Sequence, residues 1–112
     1  MATRLTHVIL FVSNMEESVR FFRDTVGLIL KYQSPFWSEF STGETTLALH
    51  PASEQNPPGK AQIGLGVDGI QAFYDEMSAK EVSFTQPPTK EAGAQLARFL
   101  SPDGTEISVS SG

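Results

Sequence analysis

The sequence predicts an α+β fold of two βαβββ modules, forming a curved mixed sheet with helices outside and a concave ligand cleft. Two observations predict it. The same order of strand-like and helix-like segments occurs in each half, and the strand HVILFV at 7–12 aligns with QIGLGV at 62–67. One such module cannot bury its sheet alone, so the two are expected to pack together. The chain 1–112 is therefore expected to be a single domain, with modules at about 1–51 and 61–112.

The first module begins with an apolar, β-branched run that is too short for a helix. Ser13 or Asn14 can cap the helix that follows, and Gly27 stands where a helix-ending glycine is expected. The strands of this module are predicted at 5–12, 28–32, 36–41 and 46–50.

The second module repeats the order. Its helix is predicted to start at Asp68 as N-cap and to bury an apolar face that includes Ile70 and Met77. Its strands are predicted at 62–67, 82–84, 95–100 and 105–109. The segment 86–94, with its two adjacent prolines, is interpreted as a loop that either closes over the cleft or is simply mobile.

Alternation assigns the two faces of the sheet, because successive side chains of a strand point to opposite sides. One set in each strand is aliphatic, such as Leu10 and Val12, and is expected to pack under the helices. The other set is polar, aromatic or small, which suits the wall of a ligand cavity. With Phe36 and Phe40 placed under the helices, Trp37 and Glu39 are expected to face inward.

Composition excludes several classes of function. The chain has no cysteine, which rules out disulfides, thiolate metal sites and a cysteine nucleophile. Its net charge of −5 disfavours nucleic acid as a partner. No apolar run is long enough to span a membrane, and the first residues lack the layout of a secretory signal. A cytoplasmic location is expected.

Five segments in order resemble the motifs of the vicinal-oxygen-chelate superfamily, which includes glyoxalases, extradiol dioxygenases and bleomycin-resistance proteins. These segments are THVILFV, FFRDTVGL, GETTLAL, GVDGI and SPDGTEISV. The resemblance implies the paired-module fold and a homodimer that binds a small molecule.

In metal-dependent relatives, the resemblance implies ligands at the inward positions His7, Ala48, Gln62 and Ser108. His7 is a good ligand and Gln62 can coordinate through its amide oxygen, whereas Ala48 and Ser108 stand where carboxylates are expected. No metal or other cofactor is therefore expected. If a divalent metal is present, the alternative is a set of ligands displaced from these positions. It combines two histidines and one carboxylate with the glutamine. Its members are His7, His50, Gln62 and Glu106.

The predicted ligand-binding residues are the inward-facing polar and aromatic side chains. They are His7, Phe11, Trp37, Glu39, His50, Gln62, Arg98, Glu106 and Ser108.

Several of these side chains have more than one possible role. Trp37 can stack on a planar ligand or pack in a dimer contact, and Glu39 and Glu106 can attract a cationic ligand. Arg98 can pair with Glu106 or hold an anion, and His7 can simply hydrogen-bond to Gln62.

The leading functional hypothesis is metal-independent binding of a small hydrophobic or aromatic molecule, as in bleomycin-resistance-type proteins. The alternative is a metal-dependent lyase or dioxygenase built around His7. A third possibility is a regulatory module that uses the cleft to sense a ligand. Whether the protein is an enzyme is left open by the sequence.

Overall fold

The computed structural model describes residues 3–91 and 93–111. The chain divides into two compact units: Thr6–Gln62 form one, and the described parts of Met1–Leu5 and Ile63–Gly112 form the other. The predicted α+β class is confirmed, because the order β-α-β-β-β occurs twice along the chain.

The first four strands and the first helix have the following bounds: β1 Arg4–Val12, α1 Met15–Arg20, β2 Ile29–Tyr32, β3 Ser38–Ser41 and β4 Thr46–Pro51. The strands lie in the order β2-β3-β4-β1. β1 runs parallel to β4, and the other two pairings are antiparallel.

The helix α1 begins as predicted. Asn14 is extended, and its side-chain oxygen accepts the backbone N–H of Glu17 at 2.9 Å, which satisfies one of the unpaired donors of the first turn. A π-helical segment, Phe21–Val26, continues α1. It ends at Gly27, whose φ of 90° is the left-handed conformation that glycine adopts without strain.

The core of the first unit lies between α1 and one face of its strands. Val19, Phe40 and Leu49 are almost fully buried and pack together with Val12. Leu10 and Leu47 pack against them from the same faces of β1 and β4. Alternation predicted these faces correctly.

The second set of elements has the bounds β5 Ala61–Gly66, α2 Ile70–Ala79, β6 Phe84–Glu91, β7 Ala94–Leu100 and β8 Glu106–Ser111. The strands lie in the order β5-β8-β7-β6, with β5 parallel to β8. The core here consists of Val67, Ile70, Ala97 and Val109, with Leu65, Phe73, Phe84 and Phe99 packed against it.

Three predictions about local structure are wrong. The N-cap of α2 is Gly69, with no side-chain hydrogen bond, rather than Asp68. Asp68 instead lies 3.8 Å from the Arg4 guanidinium. The segment predicted as a loop at 86–94 belongs largely to β6, because Gln86 pairs with Arg98 and Thr89 with Leu96 across a register shift at the prolines. Ala92 lies outside the described residues.

The third error concerns Phe36, which is 76% exposed instead of lying under the helix. The hydroxyl of Ser34 accepts the backbone N–H groups of both Phe36 and Trp37, at 3.2 and 3.0 Å. This bend precedes β3, so the alternation of β3 does not extend back to Phe36. Phe40, which lies within β3, is fully buried as predicted.

Among the described residues, neither helix is both long and apolar enough to cross a membrane.

Candidate functional site

Five of the predicted ligand-binding residues come together in the first unit, on the strand face opposite the α1 core. We call this surface the aromatic face. It consists of His7, Phe11, Trp37, Glu39 and His50. His7 and Phe11 lie in β1, and His50 lies near the end of β4. Glu39 lies in β3, and Trp37 is the residue immediately before that strand.

The register of the strands explains this grouping. Phe11 of β1 lies opposite His50 of β4, and Glu39 of β3 lies opposite Ala48 of β4. Residues two apart in a strand face the same side, so Trp37 joins Glu39 on this face.

Glu39 makes polar contacts with two of the rings. Its Oε2 accepts the indole N–H of Trp37 at 2.7 Å and lies 4.0 Å from Nε2 of His7. The Glu39 side chain is 22% exposed and that of His7 is 31% exposed, so both are half-buried. A short hydrogen bond to an ionised acceptor is among the stronger ones, and here it fixes the orientation of the indole.

The rings contact one another at angles far from parallel. Trp37 lies 6.1 Å from His7 and 6.2 Å from His50, and Phe11 lies 5.3 Å from His50. Tilted and edge-on arrangements are the favoured geometries of aromatic pairs.

His50 has a defined tautomer. Its Nδ1 lies 2.8 Å from the carbonyl oxygen of Pro51. Because a carbonyl oxygen only accepts, Nδ1 carries the proton, and a neutral His50 therefore presents Nε2 as an acceptor. This imidazole is exposed at the end of β4.

The small side chain of Ala48 leaves room for the side chain of Glu39. The alanine lies between Glu39 of β3 and Ile9 of β1 and is fully buried. With only a methyl group there, the Glu39 carboxylate extends over β4 to His7. A larger side chain at this position would occupy the same space.

The residues present do not fit the metal site that the fold family implies. Ala48 has no donor atom, and the hydroxyl of Ser108 donates to the carbonyl of Ile63 at 3.4 Å. Within residues 3–91 and 93–111, no three His, Asp or Glu side chains are arranged to hold a metal ion.

The displaced set of His7, His50, Gln62 and Glu106 therefore does not form such a group. The Glu106 carboxylate of this set accepts instead from the Thr85 hydroxyl at 2.8 Å.

The remaining predicted residues have their own surroundings. Gln62, at the end of the first unit, is 8% exposed and Ser108 is 6% exposed. The guanidinium of Arg98 donates to the side-chain oxygen of Gln86. The ion pair of Arg98 with Glu106, and the hydrogen bond of His7 to Gln62, stay predictions.

Sequence analysis missed Tyr32, which pairs in register with Glu39 across a shift in the β2–β3 pairing. Its side chain is 55% exposed. The strand containing it was recognised, but the register shift that places Tyr32 beside Glu39 has no signal in the sequence.

The fold and the site define a class of protein. It is a small α+β protein with two βαβββ modules, one of which carries aromatic, imidazole and carboxylate side chains on the face of its strands away from the helix.

Comparison with known proteins identifies the family. The profile of the Glyoxalase/Bleomycin resistance protein/Dioxygenase superfamily matches residues 4–109, and the chain belongs to this superfamily. The resemblance inferred from the five motifs is thereby confirmed.

Individual relatives are distant. The Bacillus subtilis protein YraH is 25% identical over 123 residues, which cover 95% of this chain and 96% of that protein. The structure of the hypothetical protein BH1468 from Bacillus halodurans C-125 superposes with a TM-score of 0.86 at 21% identity, covering 100% of this chain and 96% of that one. Methylmalonyl-CoA epimerase from Mycobacterium tuberculosis gives a TM-score of 0.78 at 16% identity, covering 96% and 87% of the two chains. At such identities these structures show a shared fold.

Proposed function

We propose that this protein binds a small hydrophobic or aromatic molecule on the aromatic face, without a metal ion. The observation that carries the proposal is the indole of Trp37, which is oriented by its hydrogen bond to Glu39 and flanked by two imidazoles.

A prearranged ring is what a weakly specific aromatic site requires. Binding then loses little side-chain freedom, because Trp37 is already held by Glu39. Each ring–ring contact with a planar ligand contributes about 0.5–1.5 kcal/mol beyond the area that it buries. His7 and His50 supply further ring contacts around the same position, whereas Phe11 is only 4% exposed and packs against His50.

The side chains at the implied metal-ligand positions support binding without a metal ion. Of the four positions at which metal-dependent relatives are expected to place ligands, Ala48 offers no donor, and the Ser108 hydroxyl already has a backbone partner. A divalent ion there would lack the carboxylates that offset its charge.

The test is a titration followed by NMR, since Trp37 is the only tryptophan and gives a single indole N–H resonance. Quinoline at pH 8, in the presence of a chelator, is the probe. We expect a saturable shift of the indole resonance that is unchanged when Mn²⁺ or Zn²⁺ replaces the chelator. In Trp37→Leu, followed through backbone resonances, the affinity should fall about tenfold.

Two results would reject the proposal. One is the absence of any shift up to millimolar probe. The other is a shift that requires the metal, because that would favour the metal-dependent lyase or dioxygenase alternative. Leu96→Ala, a change in β7, is the matched control and should leave the affinity unchanged.

We further propose that the protein forms a homodimer, as the family resemblance implies. Exposed apolar side chains support it: Phe36 is 76%, Ile29 71% and Tyr32 55% exposed. Sedimentation equilibrium measures the mass directly, and a monomer at micromolar concentration would remove this part of the proposal.

A further inference from the structure

We propose that Glu39 makes the aromatic face selective for a ligand with one positive charge. The inference rests on the proposed function and specifies its ligand class. It follows from the charges around Glu39 and the rings beside it.

The charge of Glu39 is not neutralised by a basic side chain of permanent charge. In the part of the chain that the structure describes, its ion-pair partner within 4.0 Å is His7, and no Lys or Arg lies within that distance. The indole N–H of Trp37 is a neutral donor, so it stabilises the carboxylate without cancelling its charge. A half-buried carboxylate in this state attracts a cation more strongly than one in bulk water does.

The rings favour the same kind of ligand. Trp37 presents its edge, through Nε1, to the carboxylate, and the face of an indole attracts cations better than the face of any other side chain. A planar cation can therefore contact the ring and the carboxylate at once. A neutral ring of the same size gains only the first of these contacts.

The experiment compares two probes at pH 8 by the Trp37 indole resonance: N-methylquinolinium, which carries a permanent positive charge, and neutral quinoline. We expect the cation to bind about tenfold more tightly. In Glu39→Gln, which keeps an oxygen to accept the indole N–H, this preference should disappear while quinoline affinity stays within about twofold.

The failures of the two proposals are distinguishable. If quinoline binds and N-methylquinolinium binds no better, or if Glu39→Gln keeps the preference, the charge selectivity is wrong and aromatic binding stands. If neither probe shifts the indole resonance, the proposed function fails and the present inference fails with it.

Discussion

The two modules repeat each other on one face of their strands and differ on the other. On the faces packed against the helices, equivalent positions carry similar side chains. The pairs are Leu10 with Leu65, Leu49 with Val109, and Phe40 with Phe99. Packing requires apolar side chains of similar size at each of these positions.

The opposite faces have little in common. Where β1 carries His7 and Phe11, the aligned positions of β5 are Gln62 and Gly66. The contrast is sharpest at Glu39, whose equivalent is Arg98, since each directly precedes the phenylalanine of its strand that belongs to or packs against the core. Burial therefore constrains the side chains on the helix-packed face of both modules. The opposite face is not constrained in this way, and it carries the aromatic and imidazole rings in the first module.

The largest expected difference between the modules lies in their cores. Phe40 is fully buried, whereas Phe99 is partly exposed beside Phe73 and Phe84. We expect Phe40→Ala to lower the free energy of unfolding by about 3–5 kcal/mol and Phe99→Ala to lower it less. Urea unfolding followed by circular dichroism measures both.

The unfolding slope must stay constant for this comparison to hold. Equal losses for the two variants would mean that the second core depends on its phenylalanine as strongly as the first, in spite of the difference in burial.

The helix starts give the next largest difference. Asn14 caps α1 through its side chain, whereas α2 starts at Gly69 without a side-chain cap. We expect Asn14→Ala to cost about 1 kcal/mol and Gly69→Asn to add a few tenths of a kcal/mol. Gly69 accepts the change because its φ is −133° and an added Cβ meets no atom within 4 Å. A loss of stability in Gly69→Asn, measured by thermal unfolding, would contradict this account.

The smallest effect concerns the π-helical segment of the first module. Two hydrogen bonds from the Arg23 guanidinium, at 2.8 and 3.0 Å, hold the pKa of the Asp24 carboxyl below its ordinary value of 3.8, against a smaller opposing effect of desolvation. A lowered folded-state pKa means that this stabilisation is present above pH 4 and is lost as the pH falls through the folded-state value.

We therefore expect Asp24→Asn to be slightly less stable than the wild type at pH 7, and the difference to shrink as the pH falls below the ordinary carboxyl pKa of 3.8. Thermal unfolding across this pH range is the measurement. A difference that persists at the acid end would show that the carboxylate charge is not its source.

Much of this fold was predictable because it depends on local patterns. Alternation identified the buried faces of β1, β3 and β4, and residue type identified the Asn14 cap and the Gly27 terminus. The wrong predictions of local structure arose where strand pairing or a local hydrogen bond outweighed the preference of the sequence. Pro87 and Pro88 suggest a loop, yet β6 continues through them by a register shift, and the Ser34 bend interrupts the alternation before Trp37.

The candidate site was predictable only residue by residue. That Trp37 and Glu39 share a face follows from their spacing of two. The approach of Glu39 to His7 does not, because it depends on the register of three strands and on the small side chain of Ala48 between them. Tyr32 depends on a further register shift.

The prolines of β6 have a consequence for how the protein behaves in a crowded solution. β6 and β2 are each an outer strand of their module. A proline has no N–H to donate, so Pro87 and Pro88 interrupt the row of donors that a strand from another molecule would need. β2 has no such interruption and exposes Ile29 and Tyr32 beside Lys31. The second module thus carries protection against edge-to-edge aggregation in its backbone, whereas the first relies on the charge of one lysine.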